Sequence, residues 1–169
     1  MKIIFSAVLI FFSSAVHAQP DKPVTNAELK ALVGNWTGPM VATFFADGKN
    51  QHNYTTVLEV TDMQDSLMFN FTFTGEDGKQ LIEKYPLRIY NNGSKISFDS
   101  TQFDIAEIRR RGVRLTIYAE REGYDENFKP ADFQDILLIG PGILNFTKGI
   151  RTGNAVDFSI LKRMSLTKK

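Results

Sequence analysis

The chain has 169 residues, no cysteine and a formal net charge of +1. That length suits one hydrophobic core and is short for two domains. The missing cysteines exclude disulfides, thiolate metal sites, a cysteine nucleophile and a lipobox-type anchor, and the lack of a basic excess disfavours general nucleic-acid binding.

Met1–Ala18 reads as a secretory signal peptide. Lys2 gives the positive start, Ile3–Phe12 the apolar stretch, and Ala15-Val16-His17-Ala18 a small-residue cleavage site. Cleavage would leave 151 residues from Gln19, with 19 basic against 19 acidic side chains. The apolar stretch is too short to cross a bilayer, and no second run of about 20 apolar residues follows. A soluble periplasmic or secreted protein, with no transmembrane segment after cleavage, is expected.

Residues 19–24, with Pro20 and Pro23, are expected to form a flexible lead, and 25–169 a single domain. A short helix begins it: Thr25 or Asn26 caps, Glu28 sits in the first turn, Leu29, Leu32 and Val33 share a face, and Gly34 ends it. From Trp36 onward the period is two. Strands are predicted near 36–45, 53–62, 66–74, 80–90, 94–99, 102–109, 113–121, 134–139, 143–149 and 155–165. Asp47-Gly48, Asp77-Gly78, Asn91-Asn92-Gly93, Gly140-Pro141-Gly142 and Gly153-Asn154 supply the turns between them. Alternation is clearest at Leu67, Phe69, Phe71 and Phe73, at Val113, Leu115, Ile117 and Ala119, and at Val156, Phe158 and Ile160. One buried and one wet face per strand, with hairpin links, predicts an antiparallel up-and-down all-β barrel of about 8–10 strands, with a sandwich as the alternative.

The helix runs into a G-x-W-x-G element, Gly34-Asn35-Trp36-Thr37-Gly38. This resembles the start of the lipocalin-like, or calycin, barrels, as an outlying member. The resemblance implies a helix closing one end and Trp36 in the first strand. It also implies a basic residue late in the chain, Arg163 or Lys162 beside it, stacked across the Trp36 ring. Gly34, Trp36 and Arg163 would then close the barrel seam. The threonine-aspartate-tyrosine motif and disulfide of the kernel lipocalins are absent. So is the arginine-x-tyrosine clamp of the intracellular fatty-acid binders, since Met164 and Ser165 follow Arg163. The same opening is similar to nitrobindin-like haem barrels, but no histidine follows His52 to serve as a ligand. No cofactor and no metal site is expected.

Four features bear on function. An aromatic and aliphatic face (Leu58, Val60, Phe69, Phe71, Phe73, Leu81, Leu87, Phe98, Leu115, Ile117, Phe146 and Phe158) either surrounds a small hydrophobic ligand or fills a solid core. Arg109, Arg111 and Arg114, with Arg110 among them and Arg88 from a neighbouring strand, either converge on an anion or form a solvated tip paired with Glu107, Glu120 and Glu122. His52 is expected at an exposed rim. Glu122–Phe133 reads as the longest loop, suited to a lid or a partner contact. No nucleotide loop, nucleophile elbow or metalloprotease helix is present. The leading expectation is a non-catalytic exported binder of a small hydrophobic or amphiphilic molecule. A solid interaction module acting through 122–133 or 109–114 is second. A small-molecule isomerase or cyclase in the barrel mouth, using His52, Tyr85 or Tyr118, is third.

Overall fold

The computed structural model describes residues 22–43, 51–98 and 101–169. The signal segment Met1–Ala18 and the Asp47-Gly48 turn lie outside the described residues.

The domain opens with α1 (Asn26–Leu29), which tightens into a single turn over Lys30–Leu32. Thr25 starts it with a reciprocal cap. The Thr25 hydroxyl accepts from the Glu28 backbone N–H, and the Glu28 carboxylate accepts from the Thr25 N–H. Ten strands follow among the described residues: β1 (Gly34–Thr43), β2 (Gln51–Asp62), β3 (Leu67–Gly75), β4 (Gln80–Tyr90), β5 (Lys95–Phe98), β6 (Thr101–Arg111), β7 (Arg114–Tyr124), β8 (Pro130–Gly140), β9 (Ile143–Thr152) and β10 (Ser159–Lys168). Each pairs antiparallel with the next, and β10 pairs with β1, so the sheet closes as an up-and-down barrel with no free edge. The sandwich alternative falls with that closure.

Two boundaries differ from expectation. β7 and β8 extend further than their periodicity suggested, so the loop expected over Glu122–Phe133 shrinks to 125–129. The carboxylate of Asp125 holds it, accepting from the N–H groups of Asn127 and Lys129. β10 starts at Ser159 rather than near 155, because the chain before it is still turning.

Two one-residue bulges decide which side chains face inward. Between Ile105 and Glu107 the register slips, so the inner face passes from Phe103 and Ile105 to Ile108 and Arg110. Between Ile160 and Lys162 it slips again: Ile160 pairs with Gly149, whereas Lys162 pairs with Lys148.

The core sits nearer the helix. Trp36, Leu58, Phe69, Phe71, Phe73, Leu87, Phe103 and Ile117 are almost completely buried, with Leu29 and Leu32 of the helical segment beneath them. The phenylalanines pack ring on ring. Phe71 stacks on Phe73 at 5.2 Å between centroids, and Phe98 meets Phe69 edge-on at 5.4 Å and Phe146 at 4.8 Å. β1 and β10 approach closely at Gly38, where an added Cβ would lie 2.1 Å from the Ser165 carbonyl oxygen. Only glycine fits there.

Candidate functional site

The two ends of the barrel differ in chemistry. At the helix end, the interior is sealed. The Trp36 indole N–H donates to the Leu32 carbonyl at 2.7 Å, tying the helical segment to the first strand. Arg110, turned inward by the β6 bulge, reaches Glu28 at 2.7 Å and donates to the Pro23 carbonyl at 3.1 Å. The Arg110 guanidinium and the Thr25 cap hold the Glu28 carboxyl down at about 2. Lys30 pairs with Asp62 at 2.9 Å. An open groove of about 570 Å3 runs outside this plug, between it and the β6–β7 and β8–β9 hairpins, past Val113, Arg114 and Lys168.

Lys168, not Arg163, supplies the cation at Trp36. Its Nζ lies 5.3 Å from the ring centroid and also donates to the Ala31 carbonyl. Arg163 pairs with Val41 and Thr147 and is exposed on the outer face, where Trp36 is out of reach. Trp36 itself is the buried first-strand tryptophan expected, and Gly34 begins that strand.

At the opposite end the inner face turns polar. The side chains of Arg121 on β7, Asp135 on β8, Lys148 on β9, Lys162 on β10 and Glu83 and Tyr85 on β4 lie on inward-facing positions of their strands. Tyr85 hydrogen-bonds Glu83. Lys162 lies 3.9 Å from Glu83, with its Nζ 4.6 Å from the Phe73 ring centroid. Arg121 lies between two rings, 4.0 Å from Phe133 and 5.3 Å from Phe103. Its Nε is buried without a hydrogen-bond partner, as is Thr56 Oγ1 on β2. Solvent still reaches this belt: the side chains of Lys162 and Glu83 keep 24% and 32% of their exposure. Just below it lies a cavity of about 20 Å3, bounded by Asp135, Ala119, Phe98, Phe103 and Phe146 among others. That is room for about one water.

Most residues of the expected apolar face do meet inside the barrel. Leu58, Val60, Phe69, Phe71, Phe73, Leu87, Phe98, Leu115, Ile117 and Phe146 are all buried in one cluster. Two do not belong to it. Leu81 faces inward opposite Phe73 but stands at the rim, 52% exposed. Phe158 lies outside the barrel, over Gly149 and beneath the Arg151 guanidinium at 4.6 Å. The β10 bulge breaks the alternation on which Phe158 was assigned. The expected arginine cluster divides between two faces: Arg110 turns inward, and Arg109, Arg111 and Arg114 stay on the outer one. Arg109 pairs with Glu107 and Tyr118 on the outer wall, Arg88 is exposed on β4, and Arg111 and Arg114 face each other across the hairpin tip. His52 is exposed on β2, on the register that pairs it with Ala42 near Lys162.

The polar belt went unseen in the sequence. Arg121 continues the period of Leu115, Ile117 and Ala119, and Lys162 that of Phe158 and Ile160, so alternation alone puts both on the apolar face. The available signal was that Lys148 shares parity with Phe146 and Leu144. Among the described residues, no group of three or more His, Cys, Asp or Glu side chains gathers as for a metal, and no helix is long and apolar enough to cross a membrane. No family model matches the chain, and no curated protein matches it.

Proposed function

We propose that this chain is an exported, outlying lipocalin-like barrel that binds a small hydrophobic or amphiphilic molecule without catalysis, at the end opposite the helix. One observation carries this reading: the helix end is latched shut, whereas the other end presents a solvent-reached inner belt above an aromatic floor. The ring-packed half leaves little volume, so the ligand sits at the mouth against Phe73, Phe133 and Tyr54 rather than deep in the core. The export signal supports delivery outside the cytoplasm.

The test is native mass spectrometry of the protein purified from its exporting host, with titration of a neutral lipophilic fluorophore. A bound small molecule, or saturable uptake that a Phe73→Glu variant abolishes, supports the reading. A bare chain with no uptake sinks it. Processing at Ala18 is read from the intact mass of the exported form.

A second reading has its own observation. At the tip between β7 and β8, Phe128 is 87% exposed with a positive φ of 59°, and Tyr124 beside it is also exposed. An aromatic held out in a left-handed conformation is costly. It suits a module that grips a partner protein through this tip. Loss of a co-purifying partner in a Phe128→Ser variant, with no uptake of probe, would favour it over the first.

A further inference from the structure

Two surface features take no part in closing the barrel, and they lie at opposite ends of the strand pair β7–β8. The first is the tip between these strands. Phe128 and Tyr124 project there into solvent, and Phe128 holds a left-handed conformation that glycine or asparagine adopts more cheaply. Glu122, Asp125 and Glu126 surround them, against one cation, Lys129. Asp125 is engaged in holding the turn. Among the described residues, Glu122 and Glu126 have no cation within ion-pair distance. The second feature is the groove of about 570 Å3 outside the plug. Ala27 and Ala31 of the helical segment, Val113, Leu115, Ile139 and Pro141 give it apolar walls, and Val113 is 78% exposed. Of its charged groups, Glu28 is taken up by Arg110. Lys168 and Arg114 remain, and among the described residues Arg114 has no carboxylate within ion-pair distance. Arg111, opposite Arg114 across the hairpin, adds to the positive charge. One end of the strand pair therefore offers an apolar groove with excess positive charge, and the other an aromatic knob with excess negative charge.

We infer that these two surfaces meet in different copies of the chain: the β7–β8 tip of one copy seats in the helix-end groove of the next. Phe128 enters the groove against Val113, and Glu126 pairs with Arg114. The inference rests on the second reading of the tip and names its partner as another copy of this chain. It is independent of what the barrel mouth binds. The groove has the size of a small-ligand pocket, ample for an aromatic side chain. β7 runs from Arg114 to Tyr124, roughly 33 Å at strand rise, so a copy cannot fill its own groove. The contact is heterologous, and its repetition gives an open head-to-tail chain rather than a closed dimer. One tip in one groove is a small interface, at the weak end of the range. The chains form at high protein concentration, and salt shortens them.

Sedimentation velocity of the full exported chain, over rising concentration, tests this. The sedimentation coefficient should climb past that of a dimer, and climb less in high salt. Phe128→Ser should weaken the association by about tenfold or more, the scale of a central aromatic anchor. Arg114→Glu and Glu126→Arg should each weaken it by about threefold to tenfold. The double variant R114E/E126R should recover it, because the charges are exchanged rather than lost, and so should a mixture of the two single variants. All three positions are exposed, and circular dichroism melts check that each variant is folded. A monomer at every concentration, association that Arg114→Glu leaves unchanged, or a double variant that fails to recover overturns the inference. If the chain stays monomeric while Phe128→Ser loses a co-purifying protein, the tip grips a foreign partner and the second reading stands without this one. If neither is seen, both fall.

Discussion

Replacing Arg110 by alanine should loosen the plug in a pH-dependent way. Arg110 Nε lies 2.7 Å from one Glu28 oxygen, Nη2 lies 3.2 Å from the other, and Nη2 also donates to the Pro23 carbonyl. Moving a carboxyl from its ordinary 4.5 to about 2 corresponds to roughly 3 kcal/mol if the whole effect were stabilising. Both side chains remain about 30% exposed, and the Thr25 cap, which the substitution leaves in place, supplies part of the lowering, so the share lost with Arg110 is about 1–2 kcal/mol. The lost bond to Pro23 adds about 1 kcal/mol that does not depend on pH. The folded-state value lies below the unfolded one, so the ionic part is fully present above about pH 4.5 and is lost as pH falls toward 2. Urea unfolding of both proteins across that window should show the R110A variant about 2–3 kcal/mol less stable near neutrality and only about 1 kcal/mol less stable at the acid end. The exposed carboxyls of Asp62, Asp77 and Glu107 are also held low, by Lys30, Lys79 and Arg109. Their acid response is common to both proteins and cancels in the difference. A gap that stays constant with pH would refute the latch as an ion pair.

Other substitutions probe the seam and the core. Trp36→Phe should cost about 1–3 kcal/mol, because it leaves the buried Leu32 carbonyl without its donor; chemical denaturation reads it. Lys168→Met should cost about 0.5–1 kcal/mol through loss of the cation over Trp36. Arg163→Met should change stability by less than about 0.5 kcal/mol, and the reverse order would restore Arg163 to the seam. Gly38→Ala should cost about 1–3 kcal/mol or more by forcing β1 from β10, visible as faster hydrogen exchange along that pair of strands. Phe98→Ala should cost about 3–5 kcal/mol and enlarge the void beside Asp135 enough to admit xenon, checked by crystallography under gas pressure.

The strand count, the turns among the described residues and the helix were legible because each rests on local chemistry. Thr25 and Glu28 write a cap, and Leu67 to Thr74 writes a two-residue period that pairs in register with β2 and β4. What was not legible depends on pairing. Arg109, Arg110 and Arg111 are alike in sequence, and only the slip between Ile105 and Glu107 decides that the middle one faces inward. The same holds for Phe158, Ile160 and Lys162: simple alternation puts all three on one face, and the β10 bulge separates them. The stack on Trp36 went to Lys168 because the β1–β10 register, which no local pattern encodes, sets those two side by side.

The two bulges redirect side chains at opposite ends of the barrel. A charged side chain in an otherwise apolar wall is tolerable only with a partner, and the register decides which charged groups face that wall. The β6 bulge brings Arg110 in, and its partner is already in place: Glu28, carried by the helix that seals that end. The β10 bulge turns Phe158 out, while Lys162, in step with Met164 and Leu166, stays on the inner face 3.9 Å from Glu83. One end therefore completes its own electrostatics and is closed by doing so. The other keeps its charged groups within reach of solvent, which is why the binding reading turns on the mouth rather than on the ring-packed core.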